Sequence, residues 1–97
     1  MQKTIQEIRT RKDLTPIQFK ILLLLNKARS FPRPIQALSR KEIMITLHIP
    51  WTTAYDNLAE KLMKWDLVEW YSINDGIRGR PIKYWQITAK GVEILNE

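Results

Sequence analysis

Five prolines decide where this 97-residue chain can and cannot be helical. Proline lacks a backbone N–H and holds the residue before it in extended conformations, so a helix accepts it in the first turn and hardly anywhere else. Pro16 follows Thr15, a good N-cap, and opens a helix that the pattern carries to about Arg29. Phe31-Pro32-Arg33-Pro34 cannot prolong that helix and reads as a linker within the domain. Ser39 and Glu42, at capping-box spacing, start a short second helix that Ile49-Pro50 ends. Pro81 falls in a loop between two stretches rich in β-branched and aromatic residues. The chain is thereby restricted to short helices and a hairpin.

Periodicity then assigns faces. On the first helix Ile17, Ile21, Leu24, Leu25 and Ala28 form one stripe, and Phe19, Leu22 and Leu23 form a second. Such a helix is buried on more than one side, with the second face available to a partner subunit. The short helix carries Ile43, Met44, Ile45 and Leu47, and His48 stands at its end. From Trp51 to Trp65 the positions Trp51, Ala54, Tyr55, Leu58, Leu62 and Trp65 share one stripe of a third helix, expected to face inward. The opposite face then presents Thr52, Thr53, Asp56, Asn57, Glu60 and Lys64. Asp66 stands where this helix must stop. Val68 to Ile73 and Ile82 to Thr88 are the expected strands, joined by loop 74–81 with Gly76, Arg78, Gly79 and Arg80. Thr88 caps a last short helix through Leu95, weakened by Gly91. Residues 1–13, with Ile5 and Ile8 and with Thr4 and Glu7 at capping spacing, read as an N-terminal arm or short helix before a domain at 14–97. Spacing puts Trp51, Tyr55, Trp65, Trp70 and Trp85 in the core, which leaves Tyr71 and Tyr84 as the better candidates for stacking on bases.

Sixteen Lys and Arg against ten Asp and Glu give a net charge of +6, which suits a polyanionic partner. A membrane-spanning role does not fit: the longest apolar run, Ile21 to Leu25, is five residues where a span needs about twenty. The start of the chain lacks a signal peptide's apolar stretch, so a cytoplasmic location is expected. No cysteine is present, and His48 is the single histidine, so neither thiolate chemistry nor a zinc site is expected. Asp56 and Glu60 at i, i+4 have no accompanying nucleophile, glycine-rich phosphate loop or second histidine. The expectation is therefore no enzyme, no catalytic residue, no metal and no cofactor.

Helix, short helix, tight turn, longer amphipathic helix and a hairpin with a basic loop is the order of a winged helix-turn-helix, a mainly α fold with a small β-hairpin (α+β). The second of two helices joined by a short turn can lie in the major groove of duplex DNA. From Thr15 onward the chain resembles the winged-helix transcription regulators of the multiple-antibiotic-resistance-regulator (MarR) type. The resemblance rests on IPWTTAYDNL opening the third helix, KLMKWDLVEW leading into the first wing strand, and GRPIKYWQITAKGVEIL closing the hairpin.

That resemblance implies a cytoplasmic, dimeric, non-catalytic regulator of transcription that binds double-stranded DNA in a sequence-specific way. Its recognition-helix contacts fall on Thr52, Thr53, Asp56 and Asn57, with Lys64 on the same face, and its wing contacts on Arg78, Arg80 and Lys83. Arg40 and Lys41 are phosphate candidates at the positive end of the second helix. Asp56 and Glu60 set two carboxylates in the face assigned to DNA, where aspartate can accept from a cytosine amino group. The rival readings are a winged helix used for protein assembly and a protein that coats DNA without sequence choice.

Overall fold

The computed structural model describes residues 11–30, 36–74 and 81–96. After a single 3-10 turn at Arg11–Asp13 come α1 (Pro16–Ala28), β1 (Leu38–Ser39), α2 (Arg40–Leu47) and α3 (Trp51–Tyr55), which runs on without a break into a π-wound segment, Asp56–Leu62. Strands β2 (Val68–Asn74) and β3 (Pro81–Ile87) and the final α4 (Ala89–Leu95) complete the winged-helix fold, α+β as expected.

The starts of α1 and α2 are closed boxes. Thr15 Oγ1 accepts from Gln18 N at 3.2 Å while Gln18 Oε1 accepts from Thr15 N at 3.0 Å, and Pro16 takes the first position. Ser39 Oγ and Glu42 Oε1 repeat this reciprocal pair at α2. Each box satisfies two backbone N–H groups that a helix start otherwise leaves orphaned. Two exits use the left-handed region: His48 at φ 56° turns the chain from α2 into α3, and Asp66 at φ 63° releases it from the end of the third helix into β2.

Ile21, Leu22, Leu25 and Ala28 of α1 pack with Ile43, Leu58, Leu62, Leu67, Val68, Trp85, Ile87, Ile94 and Leu95 in one core. Leu22, expected on a second face, is fully buried in that core, one turn beyond Gln18, whose side chain bonds Asn57 of the π segment. Leu23 remains exposed, and Phe19 and Leu24 are half-buried. Among the described residues the sheet has three strands in the order β1-β3-β2, all antiparallel. Two-residue β1, absent from the sequence reading, pairs Leu38 with Trp85 and makes β3 the central strand. Gly91 is required by packing: a Cβ there would lie 2.5 Å from the Leu67 carbonyl oxygen and 2.6 Å from Ile87 Cγ1.

The third helix departs from the expected uniform α-helix over 51–65. Ala54 N bonds to Pro50 O in the α pattern, whereas Met63 N reaches back to Leu58 O at 3.0 Å, five residues away. An i→i+5 bond puts more residues into a turn, so each turns through less than the roughly 100° of an α-helix. Steps of four residues, which drift by about 40° in an α-helix, then come nearly into line. Ala54, Leu58 and Leu62 accordingly form the fully buried ridge. Trp51 and Tyr55, expected on the inward stripe, are displaced to its flank and are 49% and 37% exposed.

Candidate nucleic-acid interface

The outward side of α3 begins with Thr52 and Asp56, both exposed, and they border a shallow depression with Trp51, Thr53 and Tyr55. Thr53 and Asn57, expected to face outward, are only half-exposed. Asn57 is tied inward at both ends of its amide: Oδ1 accepts from the buried Gln18 Nε2 at 3.1 Å, and Nδ2 donates to the Thr53 carbonyl at 2.9 Å. That donation gives the Thr53 carbonyl, which also accepts from Asp56 N, a side-chain partner where α winding gives way to π winding, and the Gln18 bond connects the π segment to α1. The correction has a physical cause: the wider turn rotates Asn57 toward α1, where an unpartnered Gln18 side chain would be costly.

Trp51 is also part of a larger groove. Ser39, Arg40, Lys41, Glu42 and Met44 of the α2 start face Ile82, Lys83, Tyr84 and Trp85 of β3 across an open space of about 780 Å³, with Trp51 at its edge. Three predicted contact residues from two distant parts of the chain, Arg40 and Lys41 on one side and Lys83 on the other, thus line one groove. Its lining carries these three cations and one carboxylate, Glu42, and much of the rest is apolar.

The aromatic residues are arranged differently from the all-core expectation. Trp85, on the central strand between Leu38 and Trp70, is buried as expected. Trp70, on the same sheet face but on edge strand β2, is 42% exposed. Lys83 Nζ lies 4.2 Å from the Trp70 ring centre, a cation–aromatic contact. Tyr71 and Tyr84 pair across the other sheet face at 6.5 Å and are half-buried. On the α3 side Trp51 and Tyr55 stack at 5.6 Å with planes 3° apart, and Arg40 sits over Trp51 at 4.2 Å.

Lys64 lies apart from this groove. Its Nζ pairs with Glu60 Oε1 at 3.3 Å near the far end of the π segment, so the two charges offset one another at the surface. The candidate residues Arg78 and Arg80 lie outside the described residues, as does the expected linker at 31–34. Among the described residues no group of three His, Cys, Asp or Glu side chains could hold a metal ion, and no helix is long and apolar enough to cross a membrane. The sequence reading missed the roles of Gln18, Trp51 and Tyr55. The signal for the last two was the strict four-residue spacing of Ala54, Leu58 and Leu62, which a wider turn aligns better than an α turn does.

No protein-family model matches the chain, and no curated protein matches it. Solved structures do. A zinc-responsive MarR family member, Lactococcus lactis ZitR, superposes with a TM-score of 0.69 at 20% identity, covering 99% of this chain and 58% of that one. A point mutant of S. aureus MepR bound to an oligodeoxyribonucleotide gives 0.72 at 20% identity, covering 89% of this chain and 56% of that one. The Streptococcus pyogenes adhesin competence repressor AdcR gives 0.64 at 22% identity, covering 88% of this chain and 55% of that one. The chain spans little more than half the length of these proteins. At this identity the likeness establishes the fold: a winged helix shared with MarR-family structures.

Proposed function

We propose that this chain is a DNA-binding regulator of transcription that lays α3 in the major groove of duplex DNA and sets its wing, the hairpin end over 74–81, on the backbone or minor groove. The first and last residues of that end, Asn74 and Pro81, pair in the sheet and do not belong to a loop. The observation that carries this reading is the clustering of Arg40, Lys41 and Lys83 along one groove beside the exposed Thr52 and Asp56 of α3. Cations lining the groove suit phosphates, and the helix face beside it offers groups able to bond base edges. The MepR structure of the same fold, bound to an oligodeoxyribonucleotide, supports DNA as the partner.

In this reading Thr52, Thr53 and Asp56 read base edges, and Asn57 acts mainly by fixing the helix that presents them. Arg40, Lys41, Lys83, Arg78 and Arg80 meet phosphates, with Lys64 a more distant contributor. The protein acts in the cytoplasm without cofactor or catalysis. It works as a homodimer, because one helix-turn-helix covers only a few base pairs. The exposed Leu23 and half-buried Phe19 and Leu24 on α1 offer apolar area for that contact. Sedimentation at micromolar concentration checks the dimer; a monomer with and without DNA contradicts it.

A salt titration on specific and random duplexes tests the DNA reading. Arg78→Ala and Arg80→Ala should each lower the steepness of log affinity against log salt by about 0.9 and leave sequence preference unchanged. Unchanged slopes with an intact fold would remove the wing from the DNA and favour a protein-assembly role.

A further inference from the structure

We propose that Trp51 and Tyr55 form an aromatic platform that holds the Arg40 guanidinium in place for a DNA phosphate, which makes Trp51 a positioning residue for DNA contact. The inference rests on the DNA-binding reading above and adds to it a role for two residues whose spacing had pointed to the core.

Burial does not account for these rings. Trp51 is 49% exposed and Tyr55 37% exposed, at the start of the helix that faces the proposed ligand. They nonetheless hold a defined mutual geometry, 5.6 Å between centres and 3° between planes. The Arg40 Cζ is 4.2 Å from the Trp51 ring centre and 5.7 Å from that of Tyr55. A guanidinium capping a pile of two rings would lie far from the second one. Here its distance to Tyr55 nearly equals the ring–ring distance, so the cation leans on both rings at once.

The consequence concerns conformational freedom. A free arginine has many rotamers to lose when it meets a phosphate; one already lodged on two rings has fewer, and its planar fork is oriented beforehand. The backbone end is fixed as well, because Arg40 directly follows Ser39, the N-cap of the Ser39–Glu42 capping box. Lys41 and Lys83 line the same groove, so a phosphate at Arg40 meets further positive charge. The rings thus act through Arg40 and do not themselves need to touch a base.

The test is a double-mutant cycle on the intact chain, with affinity for a short random-sequence duplex measured across salt concentrations. Wild type, Arg40→Ala, Trp51→Ala, Trp51→Phe and the Arg40→Ala/Trp51→Ala pair are compared. Arg40→Ala should lower the salt slope by about 0.9. Trp51→Ala should weaken binding by about two- to fivefold with the slope unchanged, the worth of an exposed cation–aromatic contact. Trp51→Phe should recover most of that loss. In the Arg40→Ala background Trp51→Ala should cost nothing further.

An equal cost of Trp51→Ala in both backgrounds overturns the proposal, since the ring would then act alone, for instance by stacking on a base. An unchanged slope in Arg40→Ala overturns it too. If Trp51→Ala melts early, Tyr55→Ala takes its place and must show the same dependence on Arg40. Wild type without salt-dependent binding to any duplex overturns the DNA reading itself, an outcome recognisable before any variant is made.

Discussion

Helices α1 and α3 share a repeating apolar pattern yet use it in different ways. In α1 regular α winding puts Ile21, Leu25 and Ala28 where the period of 3.6 requires, and all three are buried. In α3 the first turn is α and the segment that continues it is π, and the inward ridge passes to Ala54, Leu58 and Leu62 while the rings of Trp51 and Tyr55 come to the surface and Trp65 packs partly against the core. An apolar stripe thus identifies a core face only when the winding is uniform. The difference also separates two kinds of aromatic or aliphatic residue, those that hold the fold and those available to a ligand or to a side chain such as Arg40.

Substitutions on the two helices should separate accordingly. Leu25→Ala, deep under α1, should cost about 2–5 kcal/mol through lost burial and the cavity left behind. Asn57→Ala comes next, at about 1–3 kcal/mol, since it leaves the buried Gln18 amide without its acceptor and the Thr53 carbonyl without its side-chain donor. Tyr55→Ala should cost least, about 1 kcal/mol, mainly its stacking on Trp51. Urea midpoints with unchanged slopes would give this order. A Tyr55→Ala loss equal to that of Leu25→Ala would break the comparison, because Tyr55 would then be a core residue in spite of its exposure.

Much of the fold was legible in local chemistry. Thr15-Pro16 and Ser39-x-x-Glu42 marked the starts of α1 and α2 because caps are short-range devices, and Asp66 marked the end of the third helix, where it takes a left-handed conformation that aspartate tolerates better than most residues. Strand β1 was not legible: two residues carry no alternation, and the strand exists because Trp85 on β3 offers Leu38 a partner. Gly91 was read as a weakness in α4, whereas its role is set by Leu67 and Ile87, which close in on it from outside its own helix.

The candidate site divides the same way. The cationic residues Arg40, Lys41 and Lys83 were visible one by one, but their shared groove depends on how α2 packs beside β3. The inward turn of Asn57 depends on Gln18, thirty-nine residues away. Neither follows from a period of 3.6.

Amide chemical-shift mapping of the isotope-labelled chain, titrated with duplex DNA, tests the central claim most directly. Binding through α3 and the groove beside it predicts perturbations concentrated at Arg40, Lys41, Thr52, Asp56 and Lys83, with Ile21 to Ala28 of α1 and Val92 to Leu95 of α4 nearly unmoved. Perturbations confined to α1 and α4, with α3 and the α2 start silent, would contradict the account.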